Sequence, residues 1–482
     1  MRILMISAEY APFAKSGGLA DMLTGLSKAL AHSGHDVRVV TPLYTGHFVD
    51  AGDRLPVAAI AVSGIAVSPV ALDGTHPGYT LQQVPTGRER EPLLYQIDAP
   101  AFFGSGAIYG GGDREARRFA ILAHGALHLC EELDWAPDVI HCHDWHAALV
   151  PVLLNNGYLH RRVFRQSYSV LTIHNIGYQG VFPATLAPEL GLTVLPETPE
   201  LNFLRDGIAA ADALTTVSTS HAAEILTPEY GKGLDPLLRQ RRNRLVGILN
   251  GVDYSLWNPA TDARLPARYD GGDLGGKRSC RDALIVRADL RPGQPGPLLG
   301  MVTRLAGQKG IELVVEALPP LLRQGLLQMV ILGQGEDRYV TELRQIAAGF
   351  PDRFRYFDAQ DESLARLILG GSDAFLVPSI YEPCGLTQLY ALRYGAVPIV
   401  RDTGGLRDTV RHFDPVQGTG TGSVFKHPDG AGLAWAIGEV LRWYGQPESW
   451  ARLRNNGMAE DFSWHHQAPH YEALYARLTG NG

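Results

Sequence analysis

Cysteine is scarce. The chain of 482 residues has four, Cys130, Cys142, Cys280 and Cys384, and no two form a C-x-x-C pair, which excludes a zinc knuckle and a thioredoxin-like motif. So few thiols in so long a chain suit a reducing compartment. Long apolar runs are missing too. None approaches the roughly 18 residues that span a bilayer. The run at 3–6 is too short for the core of a signal peptide. A cytoplasmic location without a membrane partner is therefore expected. Neither sign of charge dominates: 43 basic residues face 50 acidic ones, for a net charge of −7. That balance argues against nucleic acid as the main partner. Asp-x-Asp occurs nowhere, so the acidic pair with which many single-domain glycosyltransferases hold a divalent metal is absent. No G-x-G-x-x-G follows an early strand, which speaks against a dinucleotide-dependent dehydrogenase.

What remains is an ordinary globular balance, 45% apolar and 19% charged, in a chain long enough for two or three domains. Short continuous apolar runs mark buried strands at 3–6, 37–40, 93–97, 139–141, 170–173, 213–217, 246–249, 298–302, 328–332, 353–357, 374–377 and 397–400. Helical-period segments lie between many of them, at 20–31, 114–132, 311–323 and 385–394. This alternation predicts parallel, doubly wound α/β sheets. Twelve strands exceed one typical open sheet, so two are expected. The boundary is placed near 247–259, and residues 42–92, rich in Gly, Pro and Ala, predict a β-rich insertion in the first domain. Ser16-Gly17-Gly18-Leu19 and Thr403-Gly404-Gly405-Leu406 are a weak internal echo.

Five strings fall at the ends of predicted strands, where open α/β sheets bind ligands. Lys15-Ser16-Gly17-Gly18-Leu19 opens a helix, and glycines there let backbone approach an anion; a plain turn is the competing reading. Residues 303–310 carry Arg304 and Lys309, able to flank a diphosphate by forked hydrogen bonds and a point charge, or merely to be solvated. Residues 378–388 place Glu382 beside Cys384 and the amides of Gly385, Leu386 and Thr387, with Gly385 expected to begin a helix. A carboxylate beside such amides suits sugar hydroxyls; otherwise Glu382 is a solvated acid and Cys384 a packing residue. His141-Cys142-His143-Asp144-Trp145-His146 invites a zinc site, but its histidines straddle a strand end and a helix start, so no metal is expected. Trp145 reads as a carbohydrate platform or as a core residue. Residues 172–180 bring His174 and Asn175 to another strand end.

Together these strings resemble the bacterial glycogen synthase and plant starch synthase family. The matching phrases are 15–21, 143–147, 172–180, 202–204, 247–253, 303–310, 381–388 and Asp461-Phe462-Ser463-Trp464, in order along nearly the whole chain. The resemblance implies the GT-B architecture, two Rossmann-like domains with parallel sheets facing a deep interdomain cleft. It implies an acceptor domain at 1–248, a donor domain at 249–457 and a C-terminal helix in 458–482 crossing back to the first. It implies a retaining hexosyltransferase that moves glucose from ADP-glucose to the 4-hydroxyl of an α-1,4-glucan, without cofactor or metal. The implied catalytic set is His174, Arg304, Lys309, Glu382 and Lys15. ADP-glucose would also meet Gly17, Gly18, Asp21, Asn250, Cys384, Gly385, Leu386 and Thr387, and adenine Tyr356. The acceptor would meet Tyr95, Asp144, Trp145, His174 and Asn175. Many retaining relatives carry a second Glu eight residues after the first; here Tyr390 stands there, as in glycogen and starch synthases. The resemblance favours front-face transfer in which the departing phosphate takes the acceptor's proton, so catalysis is positioning and charge stabilisation. A nucleotide-sugar epimerase and a non-catalytic glucan-binding protein are the alternatives. The first would release free sugar; the second would release no ADP.

Overall fold

The structure is a computed structural model that describes residues 1–44, 63–65, 79–84, 90–104, 108–192 and 199–480. Most of the insertion expected at 42–92 lies outside them. The chain divides into two compact units, Met1–Gly251 with Trp464–Gly482, and Val252–Ser463. The crossings fall at 251/252 and 463/464 rather than at 248/249 and 457/458. Val252 donates its amide to the Phe462 carbonyl at 2.7 Å, so the entering and leaving strings pair with each other inside the second unit.

The first unit holds a nine-stranded sheet in the order Leu245–Gly247, Ala213–Thr216, Tyr168–Ile173, Val139–His143, Arg2–Ile6, Asp36–Pro42, Leu93–Asp98, Thr80–Val84 and Ser63–Ile65. The first seven run parallel; the last two turn antiparallel. Burial on both faces explains why the parallel strands read as unbroken apolar runs. Chain order reverses between Arg2–Ile6 and Val139–His143, which makes the loops after these strands a topological switch point. The C-terminal helix Trp464–Thr479 completes this unit. Its Trp464, Ala468, Tyr471, Leu474 and Tyr475 share a core with Met22, Leu23 and Leu26 of the Gly18–His32 helix. A side chain at Gly25 would collide with the Trp464 indole.

The second unit has six parallel strands in the order Phe354–Phe357, Gln328–Leu332, Leu298–Val302, Ala374–Val377, Val397–Arg401 and Ser423–Phe425. Its order reverses between Leu298–Val302 and Ala374–Val377, so the strings 303–310 and 378–388 emerge side by side at its switch point. One helix starts later than expected. It spans Thr387–Arg393, because Gly385 adopts φ +73°, a left-handed backbone incompatible with the helix.

Candidate functional site

In the first unit the switch point is organised by a residue that the sequence did not single out. Glu9, 2% exposed, accepts hydrogen bonds from the Ser16 amide and hydroxyl at 2.7 Å each and from the Gly17 amide at 3.2 Å. The Tyr109 hydroxyl also donates to it. Burial and then the Glu9 charge push the Tyr109 phenol well up, so it remains a donor. Lys15 reaches Asp21 at 2.8 Å, in the first turn of the helix that Gly18 opens. A Cβ on Gly17 would meet nothing; the space above that backbone is open.

The next loop starts at Asp144, buried and held at φ +59°. Its carboxylate accepts the amides of His174 at 2.7 Å and Asn175 at 3.1 Å, tying the ends of two neighbouring strands together. Burial raises its pKa to about 7, against the lowering effect of those two amides. His174 joins His143 at 3.1 Å, and burial lowers its pKa to about 3; the imidazole is neutral and a weak base. The His174 carbonyl has no donor among the described residues. Deeper, His141 is fixed between the Tyr475 hydroxyl at 2.7 Å and the Thr172 hydroxyl at 2.6 Å. The three close histidines are thus spent on packing and hydrogen bonds, and no group of metal-ligating side chains occurs among the described residues. Asn250 lies buried with its Oδ1 unsatisfied, a costly state unless a ligand or water supplies a donor.

Two expected acceptor residues are not brought to this group. Trp145, 9% exposed, stands edge-on to Phe119 at 4.9 Å, and Phe182 and Phe203 crowd it further. Gly180 at φ +63° presses on its ring, where any side chain would collide. It is a core tryptophan and not a sugar platform. Tyr95, 2% exposed, lies in the interior, with burial raising its phenol beside Arg38 and Asp36 at the opening of their strand.

In the second unit the two switch-point loops are latched together. Ile380 donates its amide to the Gln308 carbonyl at 2.8 Å, and Gln308 returns a side-chain bond to the Tyr381 carbonyl at 3.2 Å. Buried Arg401 donates to the Ser379 carbonyl at 3.1 Å and to the Ile380 carbonyl. On this scaffold Lys309 meets Glu382 at 2.6 Å, and the Ser379 hydroxyl donates to the same carboxylate oxygen at 2.9 Å. Arg304 is exposed and makes no ion pair among the described residues. The amides of Gly385 and Leu386 have no acceptor among those residues, and Thr387 is the first residue of its helix, where amides are unsatisfied. Cys384 is buried; its carbonyl accepts from Gln388 at 3.0 Å, and Gly405 must lack a side chain to pass its backbone. Tyr390 stacks flat on Trp257 at 3.8 Å, and the Arg366 guanidinium lies over the Trp257 ring at 4.0 Å. It packs where a second carboxylate would otherwise sit. Tyr356 spends its hydroxyl on the Gly333 carbonyl at 2.9 Å. The group as a whole offers two cations, one clamped carboxylate and free amides, a set suited to a ligand with both phosphates and hydroxyls.

Residues 2–240 match the family model described as starch synthase catalytic domain, and residues 285–458 match glycosyl transferases group 1. The chain is 41% identical over 492 residues to a glycogen synthase of Anaeromyxobacter dehalogenans (strain 2CP-C), covering 99% of this chain and 100% of that one. It is 39% identical to a glycogen synthase of Koribacter versatilis (strain Ellin345), covering 99% and 98%. It superposes on the catalytic domain of starch synthase IV from Arabidopsis thaliana, bound to ADP and acarbose, with a TM-score of 0.89, 34% identity and 99% coverage of both chains. A sucrose-phosphate synthase from Thermosynechococcus elongatus shares the fold at a TM-score of 0.63 and 18% identity, with full coverage of both.

Proposed function

The chain belongs to the glycogen and starch synthase family, and from that premise we propose which of its residues carry the reaction. Its architecture is of the GT-B type, and it is a hexosyltransferase that extends an α-1,4-glucan from ADP-glucose. The proposed donor residues in the second unit are Arg304 and Lys309 on the diphosphate, with Glu382, Cys384, Gly385, Leu386 and Thr387 around the glucose and distal phosphate. In the first unit Lys15, Gly17 and Gly18 serve the donor, Asp21, His174 and Asn250 the transferred glucose, and Asp144 and Asn175 the acceptor. Tyr356 is assigned to the adenine.

The observation that carries this reading is the Lys309–Glu382–Ser379 cluster beside two unpaired amides at a switch point. Lys309 holds Glu382 in one orientation, and Glu382 has oxygen lone pairs left for sugar hydroxyls. Arg304 and the amides stabilise the charge that grows on the leaving diphosphate. The neutral, weakly basic His174 supports the sugar through its open carbonyl, and the acceptor's proton goes to the departing phosphate.

Incubation with ADP-glucose and maltooligosaccharide, read by mass, should give a ladder spaced by single glucose units. Glu382→Ala should lower turnover ~100-fold, the cost of a misplaced sugar, with little change in melting temperature. A variant that melts normally and keeps near-native turnover would remove Glu382 from the site.

A further inference from the structure

Away from these residues one aromatic ring stands in the open. Trp435, within the Gly430–Tyr444 helix, is 52% exposed, whereas Trp443 of the same helix is 0% exposed. The exposed ring is not loose. It stacks on His412, with ring centres 5.5 Å apart and planes within 13°. His412 is itself fixed: its Nδ1 accepts the Val424 amide at 3.1 Å, and its ring stands edge-on to Trp443 at 5.3 Å. Burial holds its imidazole below the ordinary range, against the pull of Glu439, so the stack is built on a neutral ring. Trp435 is thus the outer member of a three-ring cluster anchored in the core of its unit.

The helix keeps the rim of this ring clear. The neighbours one turn away on the same face are Ala431, Gly438 and Glu439, and a Cβ on Gly438 would meet nothing. Glu439 and Arg442 pair at 2.5 Å and supply planar, fork-shaped acceptors and donors one to two turns along. The indole N–H has no acceptor among the described residues. A flat apolar face, a free donor and a carboxylate–guanidinium pair match a pyranose, whose C–H face is apolar and whose edge is a ring of hydroxyls. A protein partner would ask for a broader apolar patch, and here the ring is bordered by small and charged residues.

We propose that Trp435, backed by His412 and flanked by Glu439 and Arg442, is a second, non-catalytic binding platform for α-glucan. This rests on the reading that the acceptor is a glucan. A branched polymer can engage platform and reaction site with different chains, which raises the effective concentration of acceptor ends. A trisaccharide gains nothing of the kind.

The test compares wild type, Trp435→Ala and Trp435→Phe in native gels containing glycogen without donor, and in chain extension with glycogen or maltotriose. Trp435→Ala should lose at least 5-fold in glycogen retardation and raise the apparent KM for glycogen several-fold. Its kcat/KM on maltotriose should stay at the wild-type value, and Trp435→Phe should fall between the two. Unchanged retardation of Trp435→Ala overturns the proposal. So does an equal loss on maltotriose, which would make the ring structural or part of the reaction site. A change of oligomeric state with intact retardation assigns the ring to a protein interface and also overturns it. If wild type extends neither acceptor yet is retarded through Trp435, the platform stands and the reaction assignment falls.

Discussion

Glu9 shows how one buried carboxylate can fix a whole loop. Three of its acceptor contacts come from Ser16 and Gly17, so it determines where Lys15 begins its reach to Asp21. Glu9→Gln keeps the volume but replaces one acceptor oxygen with a donor. Hydrogen bonds to a charged group contribute about 1.5–3 kcal/mol, so kcat/KM should fall roughly 10- to 150-fold. Amide exchange at Ser16 and Gly17 should speed up in the same variant; unchanged exchange would show that Glu9 does not hold the loop. The buried histidines make a second case. Burial lowers His141 and His146 to about 3 and holds His143 well below the ordinary imidazole range. Below about 6.5 the unfolded chain binds protons at these rings that the folded chain refuses, so stability is lost as pH falls. Asp144 acts the other way. Its pKa of about 7 when folded lies above its unfolded value of 3.8, so stability rises as pH falls between those two values. With His174, also lowered to about 3, four imidazoles outweigh one carboxyl, and the cluster destabilises the fold in acid. His146 Nδ1 has no partner, and the ring stacks on Tyr109, so His146→Phe should be nearly neutral at pH 8. Between pH 6 and 4 the variant's urea-derived stability should fall less steeply, by about 1.4 kcal/mol per pH unit. An unchanged slope would mean that His146 protonates in the folded state.

Between elements, the second unit relies on close backbone approaches at glycine, and one of them lies beside the proposed donor residues. Gly310 sits at φ +69° directly before the Ile311–Arg323 helix, and any side chain there would strike the carbonyl oxygen of Pro378. The loops after two neighbouring strands touch at this point, next to Lys309. Gly310→Ala should therefore cost about 1–3 kcal/mol from backbone strain alone, more with the collision, and lower kcat/KM with it. A variant with native melting temperature and native kinetics would show that the loops can part there freely. Much of this level was legible beforehand. The strands at 298–302, 328–332 and 374–377 read as unbroken apolar runs because parallel strands between helices are buried on both faces. Ser423–Phe425 and Val181–Pro183, three residues each, are too short to leave a periodic trace. Candidate ligand loops were legible where glycine or charge marks a strand end, as at 15–18 and 303–310. Trp145 and Tyr95 misled because residue type does not tell which face a ring turns to; Phe119, Phe182 and Gly180 decide that for Trp145. Glu9 went unread because one of its partners, Tyr109, is 100 positions away.

For the whole molecule, the first unit is made of two separate stretches of chain. Ala468, Tyr471, Leu474 and Tyr475 lie in its core. A buried large side chain contributes roughly 1.5–3 kcal/mol, and a domain is stable by only about 5–15 kcal/mol. A chain ending at Ser463 should therefore leave the first unit unfolded, seen as aggregation or as loss of near-ultraviolet circular dichroism. Residues 464–482 supplied in trans should restore part of the signal. A soluble, cooperatively melting truncation would show that the helix is dispensable. The same interruption sets a schedule on the ribosome. When Gly251 leaves the exit tunnel, the first sheet has its strands but not its last helix, and roughly 210 further residues must emerge before Trp464 does. At about 5–20 residues per second this amounts to a wait of roughly 10–40 s. During it the hydrophobic groove for Tyr471 and Tyr475 stands open to chaperones, while the inserted unit, contiguous in the message, can finish first.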